Sequence, residues 1–241
     1  MRYALRRTPA GDWTAESPTR PPFGPADLPD AWAFLEWRVI EDVLADPGPD
    51  AVYVHAAAAR VGERLVLLVG GSGSGKSTLT ALLLAMGYPA LGDDVLRFAP
   101  SLRVFEAVGR SLKLDDNTLP MLGLQVVDRI LSSSGTFLAP GSLYVSPEAL
   151  CERWESPPGR PWGMVILEDA PHAGPAGLDS RSAAESAVRV VQSLLGVAGG
   201  PETRAVTGVA LLECLQHAVA FQARGADPAG LANLIIEAAR H

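Results

Sequence analysis

The chain has 241 residues, 48% of them hydrophobic and 20% charged, with a formal net charge of −7. That much apolar material with so few charges excludes an intrinsically disordered chain, and the length suits one domain with or without an appendage. The acidic balance excludes nucleic acid and anionic membranes as main partners, because those bind basic surfaces.

Cys151 and Cys214 make no metal or redox spacing and read as reduced, buried thiols. The first residues lack the apolar run of a signal peptide, and runs such as Leu65–Val69 fall far short of the ~20 residues that span a bilayer. The expectation is a cytoplasmic protein with no membrane partner.

Residues 1–50 read as an N-terminal appendage. Tyr3–Arg7 and Trp13–Glu16 flank Pro9-Ala10-Gly11-Asp12 and predict a hairpin. Ser17–Pro29 carries five prolines and predicts a linker or an irregular strap. Asp30 is the expected N-cap of a helix over 31–44, with Trp32, Leu35, Val39 and Val43 on one face. A free helix of about 14 residues is marginal in water, so this one must dock, either simply onto the core or as the wall of a groove. Asp46-Pro47-Gly48-Pro49-Asp50 stops it.

Residues 51–241 have a different texture. Val52–Ala59 reads as a strand or buried apolar segment. Leu65–Val69 reads as a strand covered on both faces. A helix is expected from Lys76 to Met86, and Ala90-Leu91 leads into Gly92-Asp93-Asp94. Further strands are expected at Arg103–Glu106, Ser111–Leu114, Leu143–Val145, Gly163–Leu167 and Ala218–Ala223, with a flexible loop at Ser132–Gly135. Helices are expected at Ser182–Leu195, where Ser182 and Glu185 have capping-box spacing, at Thr203–Gln216 and at Pro228–Ala239. Strands interleaved with helices make this an α/β chain.

Gly70-Gly71-Ser72-Gly73-Ser74-Gly75-Lys76-Ser77 matches G-x-x-x-x-G-K-[ST] without a gap, between the buried strand and a helix. Glycines let successive N–H groups turn inward around phosphate oxygens. Lys76 supplies a point charge to the β- and γ-phosphates, Ser77 a hydroxyl to Mg²⁺, and the following helix its positive end; Thr78 follows directly. The expected cofactors are ATP and Mg²⁺. Asp93 and Asp94 lie 17 and 18 residues after Lys76, far enough for one helix and one short strand to return the chain to the loop. One carboxylate there can hold Mg²⁺ and a second can take a proton from a hydroxyl. His55 precedes Lys76 by 21 residues in a segment that pairs near the loop strand, where it is either a packed core residue or part of the site.

His55, the strand Leu65–Val69, the glycine loop, the Met86-Gly87-Tyr88 helix end and Asp93-Asp94 together resemble the kinase domain of bacterial HPr kinase/phosphorylase. The resemblance implies a P-loop kinase fold related to phosphoenolpyruvate carboxykinase. It also implies that Asp94 accepts the proton of a seryl hydroxyl, that Asp93 assists at the metal and that His55 orients the pair. The segment before His55 is unlike that family, Thr78 stands where a Glu is usual, and the family's Glu-Ile-Arg-Gly segment is missing. The arrangement looks more like shortened HPr-kinase-related proteins such as lasso peptide kinases, which phosphorylate a serine on a precursor peptide. A homo-oligomer is a further expectation carried by the resemblance.

In place of the missing segment stands Arg110-Ser111-Leu112-Lys113-Leu114-Asp115-Asp116. On a strand Arg110 and Lys113 would point to opposite faces, and Arg110 is the better phosphate or transition-state clamp. Glu106 is a candidate for the missing metal ligand, and Asp115 and Asp116 for caps of a turn. The function expected is ATP-dependent transfer to a serine of a peptide or small protein. The alternatives are a small-metabolite kinase and a nucleotide-dependent switch with little transfer activity. No Leu-Ser-Gly-Gly-Gln-like or Asn-Lys-x-Asp segment supports a transporter ATPase or a GTPase.

Overall fold

The computed structural model describes residues 2–46, 51–139, 142–168, 174–197 and 201–241. The chain opens with β1 (Ala4–Arg7), β2 (Trp13–Glu16), β3 (Phe23–Ala26) and α1 (Leu28–Ala45). Next come β4 (Val52–Val54), β5 (Ala57–Val61), β6 (Arg64–Val69), α2 (Lys76–Ala85), β7 (Ala90–Gly92), β8 (Leu96–Ala99), β9 (Val104–Ala107) and β10 (Leu112–Leu114). A 3-10 turn at Leu119–Met121 precedes α3 (Leu124–Ser132), β11 (Phe137–Ala139), β12 (Ser142–Val145), α4 (Pro147–Leu150), β13 (Pro161–Ile166) and β14 (Gly177–Arg181). The chain ends with α5 (Ala183–Gln192), β15 (Leu194–Val197), α6 (Pro201–Leu215), β16 (Val219–Arg224) and α7 (Pro228–Ala238). The architecture is mixed α/β.

A six-stranded sheet in the order β14-β16-β13-β6-β5-β7 organises the rest. β13 lies parallel to both β6 and β16, whereas β5 and β14 run antiparallel to their neighbours. β6 is central, and its side chains alternate between two cores as a period of two requires. Val66 and Leu68 pack with Leu79, Leu83 and Ile235 of α2 and α7. Leu65, Leu67 and Val69 pack with Met164, Ile166 and Leu211 on the opposite face. Each fully buried leucine contributes roughly 1.5–3 kcal/mol, which is why this strand reads as one apolar run. A second, antiparallel sheet, β15-β4-β8-β9, closes the latter core through Val52, Leu96, Phe98 and Phe105. A small sheet, β10-β12-β11, brings Leu112, Leu114 and Leu143 against the α2 side.

The N-terminal hairpin forms as the turn residues require, but the proline-rich strap is not irregular. It contains β3, which pairs with β2 at the edge of a three-stranded sheet. An edge strand tolerates Pro25 because its missing N–H is needed by no neighbour, and Phe23 stacks on Phe34 at 4.5 Å. α1 starts earlier than expected: Asp27, not Asp30, is the N-cap, accepting from the Asp30 N–H at 2.8 Å. Pro29 sits in the first turn, where no helical N–H is required. The helix docks on the core through Ile40, Val43 and Leu44 against Tyr53 and Val95, and Trp32 stacks on Phe137 at 5.5 Å. Pro47–Asp50, expected to stop α1, lie outside the described residues.

Other expectations are corrected by tertiary pairing. Val52–Ala59 is not one strand but β4 and β5, in different sheets, with His55 at the break. The helix expected over Ser182–Leu195 stops at Gln192, capped by Ser182 as expected, and Leu194–Val197 becomes β15 paired with β4. Ser132 ends a helix, α3, rather than opening the expected loop, and β8, β11, β14 and α4 form where the pattern predicts no element. Cys151 and Cys214 are free and buried, and burial pushes the Cys214 thiol up to about 11. Among the described residues no helix is long and apolar enough to cross a membrane.

Candidate active site

Strand direction brings the candidate residues together. β5 runs antiparallel to β6, so its start lies beside the end of β6. β7 runs antiparallel to β5, so its end lies there too. His55 precedes β5, Gly70–Gly75 follow β6, and Asp93 and Asp94 follow β7. Three segments far apart in sequence therefore meet at one end of the sheet.

The glycine loop turns through Gly73 and Gly75 at φ of 79° and 92°, a left-handed backbone that a side chain would strain. Lys76 opens α2 and is buried, with its Nζ donating to the carbonyls of Gly70 and Gly71 at 2.9 Å each. The Ser77 hydroxyl hydrogen-bonds to the Asp93 carboxylate. Thr78 Oγ1 lies 3.0 Å from Thr118 Oγ1, and Ser74 is buried within the loop.

The two aspartates occupy opposite electrostatic situations. Asp93 is only 2% exposed. Burial pushes its carboxyl up to about 6, against the lowering pull of Arg110 and the Ser77 hydroxyl. Asp94 is half-exposed and held at both oxygens: His55 Nε2 lies 2.9 Å from Oδ1, and Arg110 Nη1 2.7 Å from Oδ2. The His55 hydrogen bond, with the charge of Arg110 behind it, holds Asp94 down at about 2 despite partial burial. His55 is thus not a packed core residue but a partner of Asp94.

A cavity of about 550 Å³ is lined by Lys76, Ser77, Thr78, both aspartates, His55 and Arg110, together with Ser72, Gly73 and Gly75. Gly70 and Gly71 line a neighbouring cavity of about 500 Å³, shared with His55. Ser74 lines a third of about 160 Å³, together with Gly73, Gly75, Thr78, Leu79, Met121 and Leu231.

Arg110 and Glu106 behave differently from expectation. Arg110 precedes β10 rather than lying on it, so the alternation with Lys113 does not apply, and both line the same cavity. The Arg110 guanidinium is engaged by Asp94, as a positioning contact rather than a free clamp. Glu106 pairs across β8 and β9 with Arg97, its register partner, and does not line the cavity; it is not the second metal ligand. The Asp115 carbonyl accepts from the Thr118 N–H at 2.8 Å, closing the expected turn, while its residue also lines the cavity.

Sequence reasoning missed Glu36 of α1, which forms part of the cavity wall beside Trp37, on the helix that the sequence offered as the wall of a groove. Glu36 Oε1 accepts the Ser111 N–H at 2.7 Å and so ties the appendage to the segment carrying Arg110. Trp37 is 57% exposed although it borders the cavity. One signal was available for Lys113: Lys76 and Lys113 are the only two lysines in the chain, and both line this cavity.

Among the described residues no group of three or more His, Cys, Asp and Glu side chains is placed to hold a metal ion. Ser77 and Asp93 supply two hard oxygens. That suits Mg²⁺, which takes most of its ligands from water and substrate phosphates.

The Asp93 burial has a measurable consequence. Because its folded-state value lies above the ordinary 3.8, stability is lost as pH rises from about 4 to about 6. Above pH 6 the full burial cost of the charge, roughly 3 kcal/mol, is present. Asp93→Asn should therefore raise the melting temperature at pH 7.5 and leave it nearly unchanged at pH 4. Thermal melts of both proteins across pH test this, and a lower melting temperature at pH 7.5 would contradict it.

A scan of the chain against protein-family models finds no match, and a search of curated proteins finds none either.

Proposed function

We propose that the chain is an ATP-dependent kinase with a P-loop core of the HPr-kinase type, transferring the γ-phosphate to a serine hydroxyl of a peptide or small protein. The observation that carries the reading is the pairing of two adjacent carboxylates with different partners beside one phosphate loop. Asp93 is buried on Ser77, and Asp94 is exposed to the cavity between His55 and Arg110.

The loop N–H groups and Lys76 bind the phosphates. The apolar third cavity, at the Gly73–Thr78 end of the loop, suits the nucleoside. Ser77 and Asp93 would hold Mg²⁺, which when bound neutralises charge on the β- and γ-phosphates. Asp94 accepts a hydrogen bond from the acceptor hydroxyl and aims its oxygen at the γ-phosphorus. As the new O–P bond forms, the bond between the γ-phosphorus and the bridging oxygen breaks, ADP leaves, and the seryl proton passes to Asp94. Transfer through a loose transition state asks more for positioning than for basicity, so a carboxylate held at low pKa suffices. A carboxylate has about four lone-pair sites, which leaves room for the hydroxyl beside His55 and Arg110.

The test is transfer from γ-labelled ATP to serine peptides with Mg²⁺ and with EDTA. Phosphoserine that forms only with Mg²⁺ is the expected result. Transfer at full rate in EDTA would remove Ser77 and Asp93 from their role. Tight Mg²⁺-dependent ATP binding with no transfer to any peptide would favour a nucleotide switch.

A further inference from the structure

The cavity of about 500 Å³ beyond His55 is not used by the nucleotide in the reading above. It begins at Gly70 and Gly71, the carbonyls that Lys76 Nζ holds. It therefore adjoins the terminal-phosphate end of the loop, opposite the apolar cavity at Gly73–Thr78. His55 lines both this cavity and the phosphate cavity, so the two meet at the group that holds Asp94.

The far wall is basic. Arg181, at the end of β14, and Arg189, in the last turn of α5, both line it. Arg181 is fixed by donating to Gln222 Oε1, and Gln222 is itself anchored by donating to the Ile166 carbonyl at 3.1 Å. The end of α5 is fixed relative to His55, because the His55 N–H donates to the Ser193 carbonyl at 2.8 Å. The opposing charges are weak. Glu168 lines the cavity, and Glu185 stands 3.8 Å from Arg181 Nε with most of its side chain in water. Among the described residues two guanidiniums thus face one carboxylate in the wall, the His55 imidazole being paired with Asp94. Guanidinium forks recognise carboxylates by paired hydrogen bonds.

Resting on the kinase reading, we propose that this cavity selects the acceptor: it takes an acidic side chain, Asp or Glu, flanking the acceptor serine, held by Arg181 and Arg189. The serine hydroxyl then lies on the His55–Asp94 side and the flanking carboxylate on the arginine side. This makes the substrate class an acidic serine segment, although the protein itself is acidic.

The experiment uses the full chain, Mg²⁺, γ-labelled ATP and a positional library of serine peptides capped at both ends, so that side chains carry the only carboxylates. The wild-type chain should label peptides with Asp or Glu at one flanking position about tenfold better than their Asn or Gln counterparts. In Arg181→Gln/Arg189→Gln that advantage should vanish while the affinity for a fluorescent ATP analogue stays the same. Arg189→Gln alone, at an exposed helix position, should lose part of it without loss of folding. No acidic advantage in the wild type, or an advantage kept in the double variant, overturns the proposal and leaves the kinase reading standing. No peptide labelled at all, with ATP still bound, overturns the kinase reading and this proposal with it.

Discussion

Replacing Lys76 with alanine should lower ATP affinity by one to two orders of magnitude. Its ammonium is buried and held at the loop's first two carbonyls, the end of the loop assigned to the terminal phosphate in the proposed function. A hydrogen bond to a charged group contributes about 1.5–3 kcal/mol, and 1.4 kcal/mol is a factor of ten in affinity. The variant also loses the clip that holds Gly70 and Gly71, so the loop itself loosens. Calorimetric titration with Mg²⁺–ATP, beside a melting curve to confirm folding, measures the effect. Unchanged affinity in a folded variant would remove the nucleotide site and everything built on it.

Asp94→Asn should separate chemistry from binding. The amide keeps the shape but cannot take a proton from the proposed seryl acceptor, and it no longer offers two anionic oxygens to His55 and Arg110. Positioned acid–base groups typically contribute about 10²–10⁴-fold in rate, and the turnover number should fall within that range while ATP affinity changes little. Asp94 stays ionised down to about pH 2, so its own titration produces no acid limb in the rate above pH 4. The sign for stability follows. A carboxyl held below its ordinary value contributes stability at neutral pH that is lost only as pH falls from about 4 towards 2, and its exposure keeps that contribution small. A variant that loses ATP affinity in proportion to rate would instead place Asp94 with Asp93 at the metal.

These two residues illustrate how differently the site was written into the chain. Lys76 was readable because its chemistry is local. The loop's glycines, the lysine and the helix start lie within eight consecutive residues, and their backbone geometry depends on little else. The same holds for the Ser182 cap of α5, the buried run of β6 and the early turn of the N-terminal hairpin. In each case the physical cause spans a few residues, or a period of two along one strand.

The partners of Asp94 could not be read in that way. Its contact with His55 spans 39 positions and depends on β5 and β7 both running antiparallel to their neighbours. Arg110 reaches it because β10 begins at Leu112, one residue later than the pattern suggested, which leaves that side chain outside strand alternation. Glu36 enters the cavity wall because α1 docks, and β15 forms as the antiparallel partner of β4. Proximity along the chain thus determined the glycine loop, the principal strand and the caps. Which distant side chains converge on that loop, and which of two adjacent aspartates is buried, was decided by strand order and direction, because only tertiary pairing sets distances between segments tens of residues apart.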